Sequence, residues 1–82
     1  MRIERISEPV GVLADCRGGE LRPLRFRWSG RSYKVDAVNA RWTDRQGEAC
    51  SLHYSVQSGG QTYYLRFDGK EVQWWLDETI VP

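Results

Sequence analysis

The sequence predicts a single all-β domain, an antiparallel meander of five or six strands that forms a strongly twisted sheet or a small, partly open barrel. Apolar and polar residues alternate over several short runs, which is the pattern of half-buried strands. Turn pairs that contain glycine separate these runs at the spacing typical of all-β proteins. No segment has helical spacing over a comparable length, and the 82 residues suffice for one small domain, 1–82.

The clearest hairpin is predicted around Gly59-Gly60. Residues 50–56 alternate strictly between polar and apolar side chains, and glycine tolerates the positive φ angles of a two-residue hairpin turn. A turn at this position brings all the apolar side chains of both strands to one face, whereas a shift by one residue would expose them. The predicted pairs are Leu52 with Phe67, Tyr54 with Leu65, and Val56 with Tyr63.

Two more hairpins are predicted in the same way. Ser29-Gly30 joins residues 24–28 to residues 31–35, and Asp68-Gly69 is a favoured type I′ turn pair that joins the 61–67 strand to the last one. The first hairpin predicts the pairs Phe26 with Tyr33, Leu24 with Val35, and Trp28 with Arg31, the last as a cation–π contact. The second predicts Leu65 with Val72, Tyr63 with Trp74, Arg66 with Glu71, Tyr64 with Gln73, and Trp75 with Thr62.

The rest of the chain is less regular. Residues 10–16 predict another strand that turns at residues 17–20, and residues 1–8 form a separate N-terminal segment that packs on the sheet. After residue 35 the apolar set changes parity, which predicts a β-bulge near Asp36-Ala37 or, alternatively, a short helical turn across residues 36–40. Val38, Ala40 and Trp42 are then expected to face the core. Residues 43–48 are predicted to form a polar loop that bends at Gly47.

Charge is unevenly distributed although the net charge is only +1. Residues 17–45 contain eight basic and three acidic residues, a net +5, whereas residues 46–82 contain two basic and five acidic residues, a net −3. Such polarity favours an anionic partner, but two solvated sheet faces would also produce it. The charged start and the lack of a long apolar run predict a cytoplasmic protein without membrane association. Two cysteines, Cys16 and Cys50, are expected to be reduced thiols that face the core.

The sequence contains no catalytic signature. His53 is the only histidine, and strand parity directs it outward opposite Arg66, with no serine or cysteine placed as its nucleophile partner. Cys50 and His53 differ in parity, so they cannot form half of a zinc site. We therefore expect no enzyme, no metal, no cofactor and no small-molecule substrate.

Two surfaces are candidates for binding. The first is basic, and cations without interleaved acids can hold phosphates; its residues are Arg25, Arg27, Arg31, Lys34 and Arg41. The second is an outward-facing aromatic pair, Tyr64 and Trp75, which suits a partner or is covered by the N-terminal segment. The first hypothesis is a protein-interaction module that binds a protein partner or a second copy through a sheet edge or this aromatic pair. The alternative is an accessory nucleic-acid-binding domain.

The run Pro23-x-x-Phe26-x-Trp28-x-Gly30-Arg31-x-Tyr33-x-Val35, followed by Val38 and Trp42, resembles a small bacterial domain family of unknown function. The likeness extends over roughly residues 10–77 and is specific in residues 23–42. Some members of that family stand alone, and others are similar to segments appended to relatives of translesion DNA polymerases. The resemblance implies a link to DNA repair and assigns no active site.

Overall fold

The computed structural model describes residues 1–82, which form seven antiparallel strands in one sheet and no helix. The strand order in the sheet is β3-β2-β1-β7-β6-β5-β4. No helical segment of the length and hydropathy that a bilayer crossing needs is present. The strands are β1 (Arg2–Arg17), β2 (Glu20–Trp28), β3 (Arg31–Lys34), β4 (Ala37–Gln46), β5 (Ala49–Ser58), β6 (Gln61–Asp68) and β7 (Gln73–Val81).

The all-β fold class is confirmed, as is the twisted antiparallel sheet, but the strand count is seven and not five or six. Two strands are also longer than predicted. Residues 2–8 continue β1 instead of forming a separate segment, and they pair in the plane of the sheet with β7. Residues 43–46, predicted as a loop, extend β4, so that the polar bend shrinks to Gly47-Glu48.

The long first strand connects the two halves of the sheet. Its N-terminal half pairs with β7 and its C-terminal half with β2, and the pairing is interrupted between Arg5 and Glu8. Ser7 lies at this interruption with a φ angle of 52°. A bulge of this kind bends a strand. The bend lets β1 pair with β7 in one half of the curled sheet and with β2 in the other.

Two of the three predicted hairpins have the expected register. In β5 and β6, Tyr54 lies opposite Leu65 and Val56 opposite Tyr63; in β2 and β3, Phe26 lies opposite Tyr33. Both glycines of the 59–60 turn have positive φ angles, as a type I′ turn requires. Leu24, however, is the extra residue of a bulge between β2 and β1 and is exposed, so that the buried Pro23 takes the inward position.

The β6–β7 register was predicted wrongly. Asp68 pairs with Gln73, which makes the connection a four-residue loop, Gly69 to Val72, and not a two-residue turn. The Asp68 carboxylate accepts hydrogen bonds from the Lys70 and Glu71 backbone N–H groups, and Val72 takes the left-handed conformation at φ 53°. The observed pairs replace the predicted ones: Leu65 with Leu76, Tyr63 with Thr79, Arg66 with Trp75, Tyr64 with Glu78, and Thr62 with Ile80.

The parity change after residue 35 is present, but its position and its consequence differ from the prediction. The chain leaves β3 at Val35 and enters β4 at Ala37, and the register with β5 shifts between Val38 and Ala40. Val38 packs against the core as predicted. Trp42 lies opposite the outward-facing His53 and is 46% exposed, so the expectation that Trp42 belongs to the core was wrong.

The sheet curls without closing, and the short connection between its two edge strands, Val35-Asp36, joins the two ends of the sheet. Val35 N donates to the Leu24 carbonyl oxygen on β2, and Asp36 N donates to the Gln57 carbonyl oxygen on β5. Phe26 of β2 contacts Tyr63 of β6 across the interior, with ring centroids 5.1 Å apart. The buried apolar core consists of Val10, Phe26, Tyr54, Val56, Tyr63, Leu65, Trp74 and Leu76.

Candidate functional site

The outer face of the β2–β3 hairpin carries basic side chains, and residues 25–34 contain no acidic residue. Arg25 lies opposite Lys34, and Arg27 lies opposite Ser32. Since successive strand residues alternate between faces and Phe26 is fully buried, Arg25 and Arg27 point outward. Arg31 lies beside the turn, opposite Trp28. By the same alternation Arg31 has the parity of Tyr33, and it is exposed beside the turn and not on the outer face itself. We call the three outer-face cations Arg25, Arg27 and Lys34, together with Arg31 at the turn, the basic hairpin face.

None of these four cations forms an ion pair. The ion pairs of the structure are Arg2–Glu4, Arg17–Asp15, Arg41–Glu20 and Arg66–Asp77. The one hydrogen bond made by a side chain of the basic hairpin face joins Arg25 Nη1 to Ser32 Oγ at 3.4 Å. Arg25 and Lys34 are available to an anionic ligand because neither forms an ion pair. Such a ligand would also relieve their mutual repulsion, since like charges directly opposite each other on neighbouring strands are destabilising.

The surroundings of this face leave it open. On β1, Leu13 lies opposite Arg25 and is 63% exposed, and Gly11 lies opposite Arg27 without any side chain. The predicted cation–π contact between Trp28 and Arg31 is absent, because the Trp28 ring packs against the Tyr33 ring, with centroids 6.1 Å apart. All four cations are exposed.

Arg41 does not belong to the same cluster. It lies on β4, and its Nη2 is 2.8 Å from Glu20 Oε1. The hydrogen bond and the charge of Arg41 hold the pKa of Glu20 below its usual value, and Glu20 in turn raises the pKa of Arg41. Glu20 is five residues before Arg25 in β2, which corresponds to about 17 Å along a strand.

The Arg41–Glu20 pair spans a cleft between β2 and β4, which we call the seam. β2 and β4 are not neighbours in the sheet, and two adjoining cavities of about 300 and 330 Å³ lie between them. Both cavities are lined by Leu21 and Tyr54 in addition to the ion pair. The Tyr54 hydroxyl donates a hydrogen bond to the Leu21 carbonyl oxygen, and burial raises the pKa of this phenol.

A row of four planar side chains crosses the outer face from β4 to β7. Trp42 and His53 are stacked at 5.3 Å with an interplanar angle of 7°, His53 lies opposite Arg66, and the Arg66 guanidinium lies 5.3 Å from the Trp75 ring centroid. Asp77 holds Arg66 through an ion pair of 3.1 Å. Sequence reasoning placed His53 opposite Arg66 but missed the row, because Trp42 had been assigned to the core and Trp75 to a different register.

The side chains of the predicted aromatic pair, Tyr64 and Trp75, are less exposed than the side chains of a docking surface would be. Trp75 is half-buried beneath Arg66, and Tyr64, also half-buried, lies opposite Glu78. The N-terminal segment does not lie over this pair, since it is part of the sheet: Pro9 is the residue opposite Trp75 on β1.

The two cysteines are free thiols, but only one is partly covered. Cys50 is half-buried, whereas Cys16 is exposed, so the expectation of a core position for Cys16 was wrong. No group of three or more His, Cys, Asp or Glu side chains is arranged as a metal site.

Comparison of the chain with models of known families, with curated proteins and with solved structures finds no match.

Proposed function

We propose that this protein is a non-enzymatic binding domain that holds the phosphate backbone of a nucleic acid on the basic hairpin face. The observation that carries the proposal is the set of four exposed cations on one hairpin with no ion pair among them. Phosphate contacts from Lys and Arg supply most of the affinity of nucleic-acid binding that does not depend on sequence.

The spacing of these cations suits a linear polyanion. Arg25 and Arg27 are two residues apart on one face, about 6.6 Å along the strand, and Lys34 lies directly across from Arg25 at the usual distance of about 5 Å. A backbone phosphate between Arg25 and Lys34 would remove the repulsion of the two like charges. Residues 23–42 resemble a small domain family of unknown function, and the similarity of some of its members to segments appended to relatives of translesion DNA polymerases favours the same proposal.

The test is fluorescence anisotropy with labelled single-stranded and double-stranded DNA at several salt concentrations between about 50 and 200 mM. Four phosphate contacts predict a slope of log K against log[salt] of about −3.6 for duplex and about −2.8 for single strands. Arg25→Glu combined with Arg27→Glu is expected to abolish binding at every salt concentration.

The matched control is Arg41→Glu combined with Arg45→Glu, which changes the net charge by the same amount on another strand. This control is expected to keep most of the binding. Equal losses in both double variants would show that only the overall charge matters and would contradict the proposal. Binding to vesicles of anionic lipid without binding to DNA would also contradict it and would assign the exposed Leu13 and Leu24 to a lipid surface.

A further inference from the structure

The seam lies between two strand edges whose backbone groups have no partner strand. β3 pairs with residues 25–28 of β2, and Val35 N bonds to the Leu24 carbonyl oxygen, which leaves residues 20–23 of β2 without a partner strand on that side. β4 is an edge strand over its whole length, Ala37–Gln46. The only backbone hydrogen bonds near this gap are those of Val35 and Asp36 at its closed end. Unpaired edges of this kind are templates for an additional strand.

Each contact that holds the seam involves a side chain, and no backbone–backbone hydrogen bond joins β2 to β4. One is the exposed ion pair between Arg41 and Glu20, and the other is the hydrogen bond from Tyr54 to the Leu21 carbonyl oxygen. Exposed ion pairs contribute little to stability. Leu21 and Tyr54 contribute apolar surface to both cavities of the seam, and Val38 contributes to one of them, beside the charged and polar residues of the lining.

The charge on the β4 side of the seam is positive. Arg41 lies opposite the buried Tyr54, which places its side chain on the inner face of β4. By strand alternation Arg45 lies on the same side, and it forms no ion pair. Glu20, which pairs with Arg41, is the only acid among the residues that line the two cavities of the seam. A strand that adds along β4 is therefore expected to carry carboxylate side chains opposite Arg41 and Arg45.

The outer side of β4 has a specific feature at Trp42. One face of its indole is stacked on His53, and because β4 is the edge strand, no strand of the sheet lies against the other face. If another strand paired with β4, its residue opposite Trp42 would continue the planar row. An aromatic side chain or an arginine there would stack on the free face.

We propose that the seam binds an extended acidic segment of a partner protein, which adds to β4 as an antiparallel strand. The residues of that segment opposite Arg45 and Arg41 are acidic, the residue opposite Trp42 is aromatic, and the residue opposite Thr43 is apolar and points into the seam. Read from its N-terminus, the segment has the pattern acidic–x–apolar–aromatic–acidic. Backbone hydrogen bonds supply affinity in such complexes and the alternating side chains supply specificity.

The experiment uses a synthetic peptide with this pattern, titrated into the full chain by calorimetry and followed by NMR of the backbone amides. Binding is expected with shifts concentrated in residues 38–46. Arg41→Glu combined with Arg45→Glu is expected to weaken binding at least tenfold, and Trp42→Ala by about threefold to tenfold. Circular dichroism and thermal melts of each variant establish that it is folded.

Two controls separate strand addition from simple charge attraction. The same peptide with two consecutive prolines in place of its central residues keeps its charge, but one proline must remove an inter-strand donor, and no binding is expected. Arg25→Glu combined with Arg27→Glu should leave peptide binding unchanged. Equal binding of the proline peptide, insensitivity to the Arg41 and Arg45 reversals, or no binding of the parent peptide to the folded protein would each overturn the proposal. None of these results affects nucleic-acid binding at the hairpin.

Discussion

The Tyr54 hydroxyl donates a hydrogen bond to the Leu21 carbonyl oxygen, 33 residues earlier in the chain. Tyr54 belongs to β5 and Leu21 to β2, which are separated in the sheet by three other strands. This contact joins two distant parts of a single sheet, and it shows how far the sheet curls.

Tyr54→Phe tests that contact. The substitution keeps the buried ring and leaves the Leu21 carbonyl without its donor, so the free energy of unfolding is expected to fall by about 1–2 kcal/mol. Urea denaturation followed by tryptophan fluorescence measures it. Tyr63→Phe is the control, because Tyr63 is equally buried but its hydroxyl makes no hydrogen bond within the protein. A loss of the same size in both variants would argue against the contact.

The Glu20–Arg41 ion pair predicts a pH dependence at the seam. Arg41 holds the pKa of Glu20 below its ordinary value of 4.5, so the pair contributes stability above that pH and loses it as the pH falls through the lowered pKa. Glu20→Gln is therefore expected to lower the melting temperature slightly at pH 7, and the difference from the wild type should vanish in acid. The contribution should also shrink at high salt. A difference that persists at pH 3 would show that Glu20 acts in another way.

Val72 tests the four-residue loop between β6 and β7. A β-branched residue in the left-handed region is strained, and Val72 is 74% exposed, so little packing is lost with its side chain. Val72→Gly is expected to stabilise the protein by about 0.5–1 kcal/mol, the relief of strain less the entropic cost of glycine. Leu13→Gly, on an exposed strand position, should destabilise it. A destabilised Val72→Gly variant would restore the two-residue turn as the better description.

Trp42 tests the position of the planar row. If Trp42 stacks on His53 at the surface, Trp42→Ala should cost about 0.5–1.5 kcal/mol in chemical denaturation. Phe26→Ala, which removes a fully buried ring, should cost about 3–5 kcal/mol. A comparable loss of stability in both variants would indicate that Trp42 is a core residue.

The sequence was most informative at two-residue turns that need positive φ angles, because glycine is favoured there and marks their position. Gly59-Gly60 and Ser29-Gly30 both have positive φ angles at their central positions, and each determines the register of its hairpin correctly. Asp68-Gly69 looks similar, but the Asp68 carboxylate binds two backbone N–H groups and Gly69 N donates to the Cys50 carbonyl oxygen. These tertiary and local hydrogen bonds lengthen the loop, and sequence pattern does not reveal them.

The candidate binding surfaces were predicted correctly only where the strand register was predicted correctly. The cations at residues 25, 27, 31 and 34 came together because their hairpin register was correct. Arg41 lies apart from these cations, and Trp42 lies on the outer face, because the bulge of β4 is at Asn39 and not at residues 36–37. A displacement of the bulge by two or three residues decides which side chains of the following strand face the core, and apolar composition alone does not locate it.

One NMR titration tests the proposed function most directly. A single-stranded oligonucleotide of roughly ten nucleotides, within the site sizes of small β domains, is added to the isotopically labelled protein at low salt. The basic hairpin face predicts that the largest amide shifts fall in residues 25–34 and that they disappear as salt is added. Shifts confined to β4 and β5, or no shifts at low salt, would contradict nucleic-acid binding at this face.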